Sequence, residues 1–222
     1  MKIFCLLSTV LVLIVFLFMG CSSDDTNSIT SNNNNNNGNT SGTGFASMTA
    51  GSWAEYTLSD GSHEKLEFIG VDSYNGTDCY VLEFDSTSSG VETYTQMWLD
   101  TSSNKAVLYV MKVAGVVTKM DIPQTQTIPS SSGSVPASSV KLGNETYTTP
   151  TGKKVDAIAY KVTTTAGESE SWISTQVPFG TVKTLLNGVS QSELYDFGTS
   201  GAVRNISKQE AENAQSFGLP QG

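Results

Sequence analysis

From Ala46 onward the chain consists of short runs in which apolar and polar residues alternate, broken at regular intervals by turn-forming residues. Leu66, Phe68 and Gly70 alternate with Lys65, Glu67 and Ile69. Tyr80, Leu82 and Phe84 fall on one side, with Glu83 and Asp85 on or near the other. Val107, Tyr109, Met111 and Val113 alternate with Leu108, Val110 and Lys112, and Trp172 follows Glu170 and Ser171 in the same rhythm. Successive side chains of a strand point to opposite faces, so a period of two predicts strands with one face toward a core. The breaks Asp60-Gly61, Asn75-Gly76, Ser89-Gly90, Ala114-Gly115 and Ala166-Gly167 suit hairpin turns. Evenly spaced strands joined by hairpins predict a mainly β domain with a largely antiparallel sheet.

Two stretches inside the domain depart from this rhythm. Residues 123–139 carry Pro123, Pro129 and Pro136 among serines and threonines and read as a long exposed loop. Ser207-Lys208-Gln209-Glu210 matches a capping box, in which Ser and Glu satisfy the first free amides of a helix. The helix should run from about Lys208 to Gln215, ahead of Gly218-Leu219-Pro220, and serve as a lid or plug at one end of the sheet. Residues 217–222 read as a flexible tail.

Before Ala46 the pattern is different. Residues 22–45 are almost wholly Ser, Thr, Asn, Asp and Gly, with six consecutive asparagines from Asn32 to Asn37. Such a segment buries too little apolar surface to offset its ordering entropy, so 21–45 is expected to be a disordered tether. Flexible-chain scaling gives it a mean reach of about 25–30 Å. The chain begins with Lys2 and an apolar stretch, Leu6 to Met19, interrupted only by Ser8 and Thr9 and followed by Gly20-Cys21. Charged start, apolar middle and small residue before a cleavage point make residues 1–20 an export signal. Its junction, Phe18-Met19-Gly20-Cys21, resembles the lipobox of prokaryotic lipoproteins, with Phe18 where Leu is usual. The resemblance implies that the Cys21 thiol is lipidated and becomes the new N-terminus. Secretion with an unmodified Cys21 and an uncleaved anchor are the alternatives, but the 14 residues of the apolar run fall short of the about 20 that a spanning helix needs. Two or more acyl chains would anchor the protein stably. Ser22 and Ser23 after the cysteine resemble outer-membrane sorting in a host that has an outer membrane.

Charge narrows the range of partners. The chain has 12 basic and 21 acidic residues, a net charge of -9, and losing Lys2 with the signal takes it to -10. A basic nucleic-acid face is thereby excluded, and so is a polybasic patch for anionic lipid. With Cys5 removed and Cys21 lipidated, only Cys79 remains of the three cysteines, so no internal disulfide can form. Cys79 begins the apolar run Cys79-Tyr80-Val81-Leu82 and reads as a small packing residue.

Candidate chemistry is sparse. The single histidine, His63, sits in the turn Asp60 to Glu64, a poor place to hold a catalytic imidazole, and no Gly-x-Ser-x-Gly elbow is present. No His/Cys cluster has zinc spacing and no phosphate loop appears, so no catalytic residue, metal or cofactor is expected. Asp100-Thr101-Ser102-Ser103-Asn104 opens like a calcium loop but lacks its central Gly and closing Glu, and reads as a hairpin turn. Asn39, Asn75, Asn144 and Asn205 each begin an Asn-x-Ser/Thr sequon, a glycosylation acceptor on an exported chain.

The second half carries Thr146-Tyr147-Thr148-Thr149-Pro150-Thr151-Gly152, then Val155 to Tyr160, Ser171-Trp172-Ile173-Ser174 and Val177-Pro178-Phe179-Gly180. Earlier, Gly51-Ser52-Trp53-Ala54-Glu55-Tyr56 opens the domain and Met97-Trp98-Leu99-Asp100 leads into a turn. Over about residues 50–200 this order resembles the envelope lipoprotein carriers of the LolA/LolB type and the mycobacterial lipid-binding lipoproteins. The resemblance implies a curved antiparallel sheet over 46–216, an unclosed half-barrel with one or two short helices, around an apolar cavity. Trp53, Trp98, Tyr160, Trp172 and Phe179 would then line the face that meets a ligand. The expectation is a lipid-anchored, non-catalytic protein of the cell envelope, facing outside the cytoplasm, that binds a lipid or acyl chain. The alternative is a structural or adhesive surface module whose β core is filled.

Overall fold

The hairpin signals set the architecture. The computed structural model describes residues 48–88, 90–122, 139–164 and 167–216. The expected signal, Cys21, the tether with Asn39, nearly all of the 123–139 loop, Ser89 and Ala166 of two expected turns, and the 217–222 tail lie outside them. The strands are β1 (Trp53–Leu58), β2 (His63–Tyr74), β3 (Thr77–Ser88), β4 (Val91–Asp100), β5 (Ala106–Val113), β6 (Val116–Asp121), β7 (Val140–Thr148), β8 (Lys154–Thr164), β9 (Gly167–Ile173), β10 (Thr181–Leu186), β11 (Val189–Gly198) and β12 (Gln215–Ser216). Among the described residues one helix, α1 (Lys208–Asn213), precedes β12. At Asn75-Gly76 both residues take positive φ, 50° and 79°, the geometry that a two-residue hairpin between right-twisted strands requires. Asn187-Gly188 repeats it at 52° and 78° between β10 and β11.

All twelve strands join one mixed sheet in the order β12-β6-β5-β4-β3-β2-β1-β11-β10-β9-β8-β7. Two meanders, β1 to β6 and β7 to β11, meet where β1 pairs antiparallel with β11. The sheet is mainly β and unclosed, as the sequence predicts, and antiparallel apart from β12, which pairs parallel with β6.

Its curvature is divided. In the first half the Tyr74 hydroxyl of β2 donates to Asp121 of β6 at 2.5 Å, across three intervening strands. A flat sheet would separate those strands by about 19 Å, so this half must curl. In the second half the Tyr147 hydroxyl of β7 donates to the Leu194 carbonyl of β11 at 2.8 Å, again across three strands. Tyr74 belongs to the cluster under α1 whereas Tyr147 packs on the opposite face, so the halves curve in opposite senses.

The core follows this shape in three clusters. The first packs Tyr74, Cys79, Val81, Trp98, Leu108 and Val110 against Ile206 and Ala211, beneath α1 and the segment leading to it. The second, on the reverse of the same strands, holds Leu66, Phe68, Leu82, Phe84, Met97 and Leu99. The third fills the curl of the second half with Tyr56, Val155, Ala157, Val177, Val182 and Leu194. A bulge in β2 between Phe68 and Gly70 switches its side chains from one face to the other. Glu67 pairs with Glu83 before it and Asp72 with Cys79 after it, so Asp72 and Tyr74 share a face with Glu67 despite their different parity. Gly70 is therefore parted from Leu66 and Phe68, with which strict alternation had grouped it.

Candidate functional site

The five aromatic residues expected to line one ligand face do not come together. Trp98 is fully buried under α1, its ring edge-on to Tyr74 at 5.9 Å and its indole N–H donating to Gln96 Oε1 at 3.0 Å. Trp53 lies on that same side of the sheet, donates to the Ser200 carbonyl at 3.0 Å and carries Lys65 and Lys153 over its ring. Tyr160 is half-buried, one residue out of phase with buried Ala157 and Ala159 of β8. Trp172 packs at the rim of the third cluster and donates to Glu145 at 2.7 Å. Phe179 alone reaches two clusters, packing against both the second and the third.

Phe179 does so at a conformational cost. It sits at φ 66°, a region that bulky residues rarely adopt, followed by Gly180 at 78°. The turn is closed by the Gly180 amide donating to the Val177 carbonyl at 3.0 Å and the Ser174 amide donating to Gly180 at 2.8 Å. The ring thereby joins an apolar surface running from β4 through β3 and β2 to the second half, with Tyr80, Tyr109 and Met120 packed on it half-buried.

Glu64 lies at the end of that surface. It pairs with Tyr56 on β1 and Ser86 on β3, on the face of Leu66 and Phe68. Burial lifts its carboxyl from 4.5 to about 7. The tyrosines answer it: burial raises the Tyr56 and Tyr109 hydroxyls, and the Glu64 charge raises both further. A carboxyl that is partly neutral near neutral pH can donate one hydrogen bond as well as accept. Reading His63-Glu64 as the end of a turn hid this, because nothing in the sequence shows what packs over a strand's first residues. His63 itself is exposed and tied to Glu55 at 2.7 Å.

The other face carries a polar constellation. Glu67 and Glu83 are directly opposed on β2 and β3, both fully buried, and Lys65 opposes Asp85 one rung away. Like charges directly opposed destabilise a sheet unless something compensates. Here the segment after β11 lies over them. The Val203 amide donates to Glu67 Oε1 at 2.9 Å, and the Asn205 and Ile206 amides donate to Glu83 at 2.6 and 3.2 Å. Gln96 donates to Glu83 Oε2 at 2.6 Å, and the Asn205 side chain donates to Asp85 Oδ2 at 2.8 Å. One oxygen of each of the three carboxylates lies within 4.8 Å of the others. Burial raises Glu83 against its hydrogen bonds, and burial, the charges of Glu67 and Glu83 and a hydrogen bond with Glu67 raise Asp85. Nearby, burial opposes the Asp72 charge, but hydrogen bonds from Lys208 and Arg204 hold that carboxyl down at about 2.

Of the sequons, Asn75 and Asn144 are exposed, whereas a glycan on Asn205 would have to displace its bond to Asp85. Cys79 is fully buried, with burial pushing its thiol up to about 11, so it is a packing residue. Asp100 accepts from Ser102 and Ser103, which makes 100–104 a hairpin turn. No known family model matches the chain, and no curated protein matches it.

Proposed function

We propose that the chain is a lipid-anchored protein of the cell envelope, facing outside the cytoplasm, that holds the acyl chain of a lipid or fatty acid against the surface bridged by Phe179. The observation that carries this reading is the continuity of the second and third clusters through Phe179, with Tyr80, Tyr109 and Met120 left half-buried along it. Glu64 gives that surface one polar end, beside Tyr56 and Tyr109. One polar end on an apolar track suits an amphiphile with a single head group. The acidic chain needs no nucleic acid and no cofactor for this role, and the reading assigns it no catalytic step. Lipidated Cys21 would be its membrane contact, with the 21–45 tether giving the domain room to reach ligand.

A second reading, a structural or adhesive module with a filled core, is favoured by the tryptophans. Trp98 is committed to packing, and Trp53 and Trp172 to hydrogen bonds and overlying lysines. The two readings separate in native mass spectrometry of the full chain, purified in mild detergent from the cells that make it. A reproducible added mass, lost on organic extraction and reduced in Glu64→Gln, is the expected result. A bare polypeptide that takes up no added fluorescent fatty acid would leave the structural module.

A further inference from the structure

We propose that Glu67, Glu83 and Asp85 form a binding site for a hard divalent cation of the Ca²⁺ class, which clamps the 203–206 segment onto the sheet. The argument begins with hydrogen-bond accounting. Glu67 Oε1 is met by Lys65 and Val203, both oxygens of Glu83 are met by Gln96, Asn205 and Ile206, and Asp85 Oδ2 is met by Asn205. Glu67 Oε2 and Asp85 Oδ1 are buried and have no donor among the described residues other than a proton shared between these two carboxyls. Glu67 is fully buried, so its free oxygen has no access to bulk water. Buried carboxylate oxygens need a positive partner, and here two of them belong to carboxylates already in close approach.

The spacing fits one ion. Oxygens bound to a common Ca²⁺ at about 2.4 Å can lie at most about 4.8 Å apart. The three carboxylates satisfy that limit. Lys65 and the Val203 amide hold Glu67 Oε1, the Asn205 and Ile206 amides with Gln96 hold both Glu83 oxygens, and the Asn205 side chain holds Asp85 Oδ2, so the carboxylates are oriented before any ion arrives. An all-oxygen, irregular set selects Ca²⁺ over softer metals, and over Mg²⁺, which demands octahedral geometry and retains several waters. With all three carboxyls ionised by a bound cation, Lys65 offsets one of their three charges, while Arg204 pairs with Asp72 through Nη1 and keeps Nη2 buried without a partner among the described residues. A groove of about 260 Å³, lined in part by Lys65, Asp85, Ser86 and Tyr94, reaches the edge of the cluster at Asp85.

The consequence is mechanical. The cation keeps Glu67 and Glu83 anionic, and those anions hold the amides of Val203, Asn205 and Ile206. The clamp therefore extends to α1, which follows directly. It lies on the face opposite Phe179, and so stands apart from the ligand reading above.

The test uses Tb³⁺, which replaces Ca²⁺ and luminesces when a nearby tryptophan is excited. Trp98 is linked to Glu83 through Gln96, and Trp53 lies directly across from Glu67. The full chain in detergent should give saturable Tb³⁺ emission on tryptophan excitation, displaced by Ca²⁺, with binding at least about ten-fold weaker in Glu67→Gln combined with Asp85→Asn. Absent emission, or emission that survives the double substitution, overturns the site and leaves a proton shared between Glu67 and Asp85. Should the variant fail to fold, the unaltered chain decides: Ca²⁺ should slow hydrogen exchange at the Val203, Asn205 and Ile206 amides, and exchange indifferent to Ca²⁺ refutes the clamp.

Discussion

At the scale of single residues, Phe179 and Glu64 trade stability for position. In extended or right-handed helical backbone, alanine is more stable than glycine, by about 0.5–1 kcal/mol in a helix or strand. At φ 66° the order should reverse, since a left-handed conformation costs a side-chain-bearing residue about 1–2 kcal/mol. Phe179→Ala should lower stability by about 2–3 kcal/mol through lost packing. Phe179→Gly should lower it by about 1 kcal/mol less, a difference that urea denaturation resolves; alanine proving the milder change would show that the turn carries no strain. Glu64 yields a pH dependence of definite sign. Its folded value of about 7 lies above the 4.5 of the free group, so the folded state binds more protons between the two. Stability must therefore fall as pH rises through that window, by up to about 3 kcal/mol, and then level off. Glu64→Gln should match the unaltered protein near pH 4 and exceed it by about 2–3 kcal/mol near pH 8. Parallel curves for the two proteins would mean that the carboxyl is solvated.

At the scale of elements, the capping box was legible because it is a local rule written in four residues. Ser207 accepts from the Glu210 amide and Glu210 reaches back to the Ser207 amide, as the sequence implies, although α1 ends at Asn213 and Gln215 is already in β12. Glu210 is also bonded to Lys112 of β5, and that contact first, then Ser207, holds its carboxyl down at about 2. A depressed carboxylate contributes stability that is present above its free value and lost as pH falls toward about 2, so α1 should loosen in acid. Ser207→Ala removes the cap at a cost of about 1 kcal/mol. Hydrogen exchange should locate the effect at residues 203–216, with the second half unchanged; uniform acceleration would mean that α1 is integral to global stability. The hairpin turns were equally legible, since Asn-Gly and Asp-Gly supply positive φ by composition alone. Asn187-Gly188 carries the same signal. The β2 bulge was not legible: Val-Asp-Ser-Tyr continues a plausible alternation, and only the pairing of Gly70 with Val81 shows the change of face. Nor was the burial of Glu67 and Glu83. Alternation correctly set them apart from Leu66 and Leu82, but the chain that covers them lies more than a hundred residues away in sequence.

At the scale of the molecule, the same distance effect explains why the unclosed, mainly β architecture was readable while the gathering of its site residues was not. Period two fixes which face a tryptophan takes relative to its neighbours, whereas two halves curling in opposite senses decide which faces become interiors. That geometry raises the question of whether the halves fold as one. Three kinds of contact join them. β1 pairs with β11 along Trp53–Leu58, with a bulge near Tyr56, and the Tyr56 hydroxyl continues across to the Thr181 carbonyl at 3.1 Å. Phe179 from the second half packs against the second cluster of the first half. The chain leaving β11 crosses back over β1 to β3, tied by Trp53 to Ser200 and by Val203 to Glu67. Each link buries groups from both halves, so neither half can unfold without exposing part of the other, which is the condition for a single cooperative transition. Leu108, in the cluster under α1, and Leu194, in the curl of the second half, are both fully buried. Leu108→Ala and Leu194→Ala should each cost about 3 kcal/mol. In calorimetry each variant should lower one shared heat-absorption peak, with the calorimetric and van't Hoff enthalpies still equal. If Leu194→Ala instead splits the peak, the β1–β11 seam is a hinge between two independent units, and a ligand held at Phe179 would bridge them rather than rest on a rigid surface.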